Sequence, residues 1–320
     1  MAKQGRLTRE KFGYTMPVDE PLYPKPPVYY RDMETITVAY ETDENAALDL
    51  LPEAAGFELT LPATVRIVIA KMPFTTFGAY EEAYQFLDCT WEGEPCIYPV
   101  RILLNQESAL AAGREIWGNP KKFGHIEWQQ ESEVMQGIVE RPKGSRICTV
   151  QMKPERPVDL EPYDMKPMGL RVIPNPEGGD PSLADLVLNS CRVTPKQAWS
   201  GRGSISFGVE SELDPWHTPA DQTDHRRPLR PLGHGRRADS EGRQTVLLTR
   251  CGSSMCSRLG SDDEYDAALA DYRRRGSTLE LDGRFGAGAH SSRVGARSRR
   301  ELVSPICVDI IRIVFIVIST

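Results

Sequence analysis

The sequence predicts an α+β fold that is mainly antiparallel β-sheet. Short runs of alternating or β-branched residues recur through the first 200 residues, and Gly, Pro or Asn turn signals separate most of them. In that part of the chain only two segments combine an apolar side with helix-capping residues. Many short strands with few helices are typical of an antiparallel sheet or barrel.

The predicted strands follow one another at short intervals. In chain order they cover residues 35–40, 65–70, 80–89, 97–104, 125–130, 134–140, 146–152, 170–174 and 188–193. Glu92-Gly93-Glu94-Pro95 predicts a hairpin turn, and Pro142-Lys143-Gly144-Ser145 predicts another. A proline-rich connector, residues 154–167, precedes the last two strands.

The two predicted helices have recognisable ends. Asp43 is an N-cap residue for a short helix over residues 44–51, which the next proline stops. The clearer helix covers residues 106–117, with Asn105 as its cap. Gly118-Asn119-Pro120 ends it, because glycine suits the C′ position and proline cannot continue a helix.

Composition limits the class of protein. The chain has 320 residues, 40% hydrophobic and 26% charged, with a net charge of −6, which argues against a general nucleic-acid binder. The seven cysteines show no regular spacing, so we expect buried thiols in a reducing, cytoplasmic compartment. Residues 306–318 are apolar, but they are shorter than the ~20 residues of a spanning helix and favour a strand, so no membrane association is expected.

Three segments are predicted from changes in composition. Residues 1–16 are polar and expected to be flexible, and residues 17–216 carry the strand pattern of one domain. Residues 217–320 form an atypical tail without lysine and rich in arginine. This tail is interpreted either as a disordered extension or as the product of an altered reading frame.

The sharpest local feature is the pair Lys121-Lys122 after the helix-ending Gly-Asn-Pro. If Lys121 begins a strand, the two side chains point to opposite faces; in a tight turn they lie closer. A neighbouring ammonium and burial both favour a neutral amine, which can attack a ketone. A solvated lysine pair is the alternative.

The surrounding residues resemble a known family. Gly113-Arg114-Glu115 followed by Pro120-Lys121-Lys122 resembles the signature of acetoacetate decarboxylases, which are themselves the standard example of a lysine activated by a neighbouring cation. Weaker matches, in the same order as in the family and spanning about residues 20–216, are Tyr23-Pro24, Tyr40-Glu41-Thr42-Asp43, Ile173-Pro174-Asn175 and Ala198-Trp199-Ser200-Gly201.

The resemblance implies a cone-like β-barrel with short helices, a homo-oligomer, and decarboxylation of a small-molecule β-keto acid without a metal or organic cofactor. Lys121 falls on the Schiff-base lysine, Lys122 on its electrostatic partner and Glu82 on the active-site glutamate. Glu82 as an exposed strand carboxylate is the alternative. A Schiff-base aldolase or dehydratase, or a non-catalytic ligand-binding barrel, is the alternative function.

Two positions depart from the family pattern. Met33 aligns with its arginine and Val68 with its second pocket carboxylate, which predicts a larger, more apolar substrate of secondary metabolism. Arg31 is expected to substitute for the arginine from the same face of an extended chain. Arg114 and Glu115 are expected to form structural ion pairs, and the sequence contains no metal-ligand spacing.

Overall fold

The computed structural model describes residues 2–208 and 210–218, together with the backbone of residues 246–251 and 312–313. The described helices are α1 (Glu44–Leu48), α2 (Glu107–Trp117) and a 3-10 turn, Arg9–Lys11. The described strands are β1 (Tyr30–Arg31), β2 (Glu34–Glu41), β3 (Phe57–Leu59), β4 (Thr64–Met72), β5 (Phe74–Thr75), β6 (Tyr80–Trp91), β7 (Glu94–Leu104), β8 (Lys121–Phe123), β9 (His125–Glu131), β10 (Val134–Glu140), β11 (Arg146–Val158), β12 (Tyr163–Met165), β13 (Met168–Ile173), β14 (Leu183–Leu188), β15 (Cys191–Val193), β16 (Pro195–Phe207), β17 (Val246–Cys251) and β18 (Arg312–Ile313).

One sheet of eleven strands dominates the structure. Its hydrogen-bonded order is β8-β7-β6-β4-β2-β17-β16-β11-β10-β9, with β3 paired to β6 outside this path. All neighbours in the path are antiparallel except β7 and β8. The predicted mainly antiparallel class is therefore confirmed.

The expected closed barrel is not found in the described part of the chain. Closure would require the edge strands β8 and β9, which lie at opposite ends of the path and are separated in the sequence only by Gly124, to pair with each other; the described strands show no such pairing. β8 is also three residues long, which limits any ladder that it can form. The sheet is open between these strands.

The strands of this sheet bury both faces, as alternation requires. On one face, β2 and β4 contribute Ile36, Val38, Ile67 and Ile69 to a large core. The opposite face contributes Ala70 and Leu104 to a smaller core that α2 covers, together with Met33, which immediately precedes β2. The candidate site lies on the face of this smaller core.

The hairpin between β6 and β7 forms as predicted. Glu92 and Gly93 have φ angles of 49° and 82°, the left-handed values that a two-residue hairpin turn needs. The turn aligns Cys89 with Cys96 across the two strands. These two cysteines, like Cys148 and Cys191, are free and buried, as expected.

Several predicted element bounds are wrong. The cap of α2 is Gln106, whose side chain accepts a hydrogen bond from the Ala109 amide; Asn105 instead donates to the carboxylate of Glu81. β11 continues into the predicted connector because a register shift between Pro154 and Arg156 accommodates the prolines. Residues 188–193 belong to two strands, α1 ends at Leu48, and β16 was not predicted.

The end of the domain is anchored to the large core. Trp216 is buried, and its carbonyl accepts a hydrogen bond from the Gln85 amide at 3.0 Å. Arg101 donates to the carbonyl and hydroxyl of Thr218. Packed structure therefore continues slightly beyond the predicted boundary at residue 216.

Two strands come from the tail. β17 pairs with both β2 and β16, and β18 pairs in parallel with β14. Most of the predicted tail, including most of the apolar stretch 306–318, lies outside the described residues. None of the helices in the described ranges has the length and hydropathy to cross a membrane.

Candidate active site

The connection after α2 determines where Lys121 lies. Gly118 ends the helix with φ 66°, and the Asn119 amide donates back to the Gly113 carbonyl at 2.9 Å. Lys121 then begins β8, directly opposite Ile102 of β7. The predicted stop signal therefore places Lys121 on the edge of the sheet.

Lys121 and Glu82 form a buried pair. Nζ of Lys121 lies 2.8 Å from Oε1 of Glu82, and the two side chains are only 6% and 1% exposed. Oε1 receives no hydrogen bond of regular geometry, so the contact is an ion pair at short distance. Glu82 is therefore not an exposed strand carboxylate.

The charges of this pair respond to opposing influences. Burial favours a neutral amine and a neutral acid, whereas each charged partner favours the charged state of the other. Transfer of one proton between Nζ and Oε1 converts the ion pair into a neutral pair without a change in net charge. The arrangement is suited to proton exchange at the lysine nitrogen.

Glu82 has a second partner on its own strand. The hydroxyl of Tyr84 donates to Oε2 of Glu82 at 2.7 Å, since residues two apart on a strand share a face. Burial, followed by the nearby charge of Glu82, raises the pKa of Tyr84 well above its ordinary value. Burial also raises the pKa of Tyr30 and Tyr80 on the same side of the sheet. These hydroxyls therefore remain protonated.

The Gly-Arg-Glu motif supports the lysine. A Cβ on Gly113 would lie 2.4 Å from Cδ and 2.5 Å from Cε of Lys121, so glycine makes room for that side chain. Arg114 donates to the Lys121 carbonyl at 3.1 Å. Glu115 accepts hydrogen bonds from Tyr23 at 2.6 Å and Thr15 at 3.2 Å. Arg114 and Glu115 thus have structural roles, through these hydrogen bonds rather than the expected ion pairs.

Lys122 lies on the other face of the sheet. It is paired in register with Leu103, a residue of the large core, and its Nζ lies 3.1 Å from a carboxylate oxygen of Asp214. Arg141 contacts the same carboxylate at 3.1 Å. Strand alternation rather than a tight turn therefore sets the directions of the two lysines.

A cavity of about 160 Å³ opens beside Lys121. Of the residues that line it in the described ranges, only Lys121 is basic and only Glu82 is acidic. Its apolar walls come from both the sheet and the smaller elements, namely Val28, Met33, Val68, Phe86, Ile102, Trp117, Met165 and Val193. The cavity can therefore desolvate most of a small ligand while presenting one amine and one carboxylate.

The two departures from the family pattern both line this cavity, but Arg31 does not. Met33 and Val68 are among its walls. Asp32 has φ 56°, so the chain is not extended between Arg31 and Met33, and the two side chains do not share a face. Arg31 is exposed and lies over the Phe74 ring at 5.8 Å. The expectation that Arg31 substitutes for the family arginine is wrong.

Several residues that line the cavity were not predicted from the sequence. Tyr84 was within reach of prediction, because it follows Glu82 by two positions on a predicted strand. Asn189 and Cys191 come from a segment distant in sequence and carry no local signal. Burial raises the pKa of Cys191 to about 12, partly offset by nearby Lys121, so its thiol is neutral. Within the described ranges no cluster of three or more His, Cys, Asp or Glu is arranged to bind a metal.

Comparison with known proteins identifies the family. The sequence model described as acetoacetate decarboxylase (ADC) matches residues 15–229, so the chain belongs to the acetoacetate decarboxylase family. Decarboxylase DEC1 of Cochliobolus heterostrophus is 28% identical over 228 residues, covering 68% of this chain and 89% of that protein. Acetoacetate decarboxylase 1 of Bradyrhizobium diazoefficiens is 31% identical over 205 residues, covering 61% and 79%.

Solved structures show the same fold. A structure of acetoacetate decarboxylase matches with a TM-score of 0.64 and 20% identity, covering 78% of this chain and 96% of that one. The enduracididine biosynthesis enzyme MppR, complexed with the condensation product of pyruvate and imidazole 4-carboxaldehyde, matches with a TM-score of 0.60 and 18% identity, covering 79% and 96%. The family relation supports a decarboxylase, a carbon–carbon lyase.

Proposed function

We propose that this protein decarboxylates a β-keto acid through a Schiff base on Lys121. The observation that carries the proposal is the 2.8 Å pair of Lys121 and Glu82, buried beside an apolar cavity. A desolvated amine next to a proton acceptor is the arrangement that lysine nucleophiles require. Membership of the acetoacetate decarboxylase family supports the same chemistry.

The first half of the reaction forms the iminium. A proton moves from Lys121 to Glu82, and the neutral Nζ then adds to the ketone carbon, so that a C–N bond forms and the carbonyl π bond breaks. Glu82 donates its proton to the departing oxygen, which leaves as water with one proton from the amine. The products are an iminium on Lys121 and an ionised Glu82, which stabilises it electrostatically.

The second half releases CO2. Cleavage of the bond to the carboxyl carbon sends its electron pair into the iminium, giving a neutral enamine. A proton from solvent adds to the enamine carbon and regenerates the iminium, and addition of water then releases the ketone and free Lys121. Glu82 is placed to orient this water and to exchange its protons. The apolar walls favour CO2 loss, because they solvate the substrate carboxylate poorly.

In this proposal burial disfavours the charged amine of Lys121, and Glu82 accepts the proton that the amine gives up. The family resemblance assigns Lys122 the role of electrostatic partner. Its pairing with Asp214 on the opposite face supports instead a role in holding residues 213–218 against the sheet. A charge on that face acts on Lys121 only at longer range.

The substrate proposed is a β-keto acid with an apolar substituent. Met33 and Val68 line the cavity where the resemblance implies an arginine and a carboxylate. Without those two charged groups, the cavity favours a substrate with apolar substituents over a small charged acid. The volume of about 160 Å³ is close to the ~150 Å³ cavity that is known to hold benzene. A longer acyl chain, as in secondary metabolism, would extend past Tyr163, which lines the cavity and is half-exposed.

A second candidate is condensation or dehydration of another oxo-acid through the same lysine. MppR, a structural neighbour, is seen with pyruvate and with a condensation product of pyruvate. Release of CO2 distinguishes the two candidates. Borohydride trapping on Lys121 with CO2 release supports decarboxylation, whereas trapping without CO2 release supports the second candidate. A non-catalytic ligand carrier would bind apolar ketones equally well after Lys121→Ala and would never be trapped.

A homo-oligomer in the cytoplasm is the expected context, by analogy with the family. Sedimentation equilibrium of the purified chain measures the assembly directly. A monomer at micromolar concentration would contradict that expectation without affecting the proposed chemistry.

A further inference from the structure

Tyr84 is connected to the candidate nucleophile through Glu82. Its hydroxyl holds Oε2 of Glu82 at 2.7 Å, while the other oxygen, Oε1, lies 2.8 Å from Nζ of Lys121. The carboxylate thus has a separate partner for each oxygen. This assigns one oxygen to the tyrosine and leaves the other facing the amine.

The ring of Tyr84 is itself held in place. It stacks on Phe86, with centroids 5.2 Å apart and an interplanar angle of 18°. In the sheet register Tyr84 lies opposite Val68 on one side and Ile102 on the other, and all three line the cavity. The hydroxyl therefore projects from a fixed ring toward a carboxylate on the same strand.

The hydroxyl acts as a donor to this carboxylate. An ionised carboxylate only accepts hydrogen bonds, and a buried tyrosine that stays protonated can supply one. Such a bond favours the ionised carboxylate over the protonated acid. It also opposes rotation that would turn Oε1 away from Lys121.

We propose that Tyr84 is a positioning residue that holds Oε1 of Glu82 in the orientation where it exchanges protons with Lys121. This inference rests on the proposed function, in which Glu82 takes a proton from the amine and returns it to the departing carbonyl oxygen. Tyr84 gains and loses no proton in these steps. Its contribution is to keep the distance and direction of the transfer constant.

The test uses Tyr84→Phe, which removes the hydroxyl and keeps the ring. The probes are acetone and a β-keto acid with an apolar acyl chain, each with borohydride, and the adduct on Lys121 is quantified by mass spectrometry between pH 5 and pH 9. We expect trapping to slow by about ten-fold or more. We also expect the acidic limb of the pH profile to move to higher pH, because the carboxylate loses a bond that favours its ionised form.

Two further variants separate positioning from a general loss of structure. Tyr98→Phe removes the hydroxyl of a partly buried tyrosine on the opposite face, where the ring packs at 5.8 Å from Phe57, and it is expected to keep the native rate and profile. In a Glu82→Gln background, Tyr84→Phe is expected to add little, because its effect passes through Glu82.

The trapping results distinguish failure of the inference about Tyr84 from failure of the proposed function. Native trapping with a native pH profile in Tyr84→Phe overturns the inference and leaves the proposed function standing. An equal loss in Tyr98→Phe, or additive losses in the Glu82→Gln background, also overturns it. If the native chain is never trapped by either probe, the proposed function fails and the inference fails with it.

Discussion

Gly113→Ala is a sharp perturbation of the site, because it adds one methyl group to a helix facing Lys121. The new Cβ would lie 2.4 Å from Cδ of Lys121, which is 1.0 Å below the 3.4 Å at which ordinary contact begins. The Lys121 side chain must therefore recede by about 1 Å. Since Nζ lies 2.8 Å from Oε1 of Glu82, a displacement of that size weakens the pair.

The expected effect on chemistry is much larger than the effect on stability. A 1 Å misplacement of a reacting group costs about 10²-fold in rate. Alanine also has a helix propensity better than glycine by about 1 kcal/mol, which offsets part of the steric cost in the free energy of unfolding. We therefore expect a folded variant with near-native melting and about one hundredth of the native trapping rate.

Borohydride trapping on Lys121 and thermal unfolding are both measured for the native chain, for Gly113→Ala and for a control variant. Gly5→Ala is the matched control, because a Cβ at Gly5 meets nothing within 4 Å. Native trapping by Gly113→Ala would show that the lysine position seen here is not the reactive one. A variant that fails to fold would instead show that the added methyl group displaces α2 rather than the Lys121 side chain.

Four other perturbations have defined outcomes. Lys121→Met leaves the buried Glu82 carboxylate without a charged partner and is expected to lower the free energy of unfolding in urea by about 3–5 kcal/mol. The double variant with Glu82→Gln is expected to recover much of this loss, and additive losses would contradict a direct pair. Lys122→Ala is expected to cost about 1 kcal/mol and to leave the pH profile of trapping unchanged, since its partner is on the far face; a shifted profile would restore an electrostatic role. Burial raises the pKa of Cys191 to about 12, so only about 10⁻⁴ of this thiol is ionised at pH 8. We therefore expect iodoacetamide to label Cys191 in urea but not in the folded chain, which peptide mass spectrometry would show. Met33→Arg is expected to raise turnover of acetoacetate relative to apolar β-keto acids, and an unchanged ratio of kcat/KM would exclude Met33 as a selectivity determinant.

Strand alternation made much of the sheet predictable. The segments around Ile36, Ile67 and Tyr80 form strands close to their predicted bounds, because burial of alternate residues on two faces produces a strong period-two signal. Alternation also gives the opposite directions of Lys121 and Lys122. The identity of Glu82 as the partner of Lys121 came from the resemblance, since 38 intervening residues contain no signal for a contact across the sheet.

Other features depend on geometry that local sequence does not encode. Residues 154–158 contain prolines that normally end strands, but a register shift keeps them in β11. The left-handed backbone of Asp32 turns Arg31 away from the cavity. Asn189 reaches the cavity from the loop between β14 and β15, so no pattern near Lys121 indicates it. Barrel closure was an expectation from the family and depends on strand pairing rather than on composition.

In the proposed reaction Lys121 forms a covalent intermediate that loses CO2. The direct measurement incubates the native chain with a panel of β-keto acids, reduces with borohydride, and identifies the modified residue by peptide mass spectrometry while CO2 is measured in parallel. We expect an adduct on Lys121 that carries the decarboxylated ketone, together with CO2 release that Lys121→Ala abolishes. CO2 release that survives this substitution, or an adduct confined to other lysines, would contradict the proposed reaction.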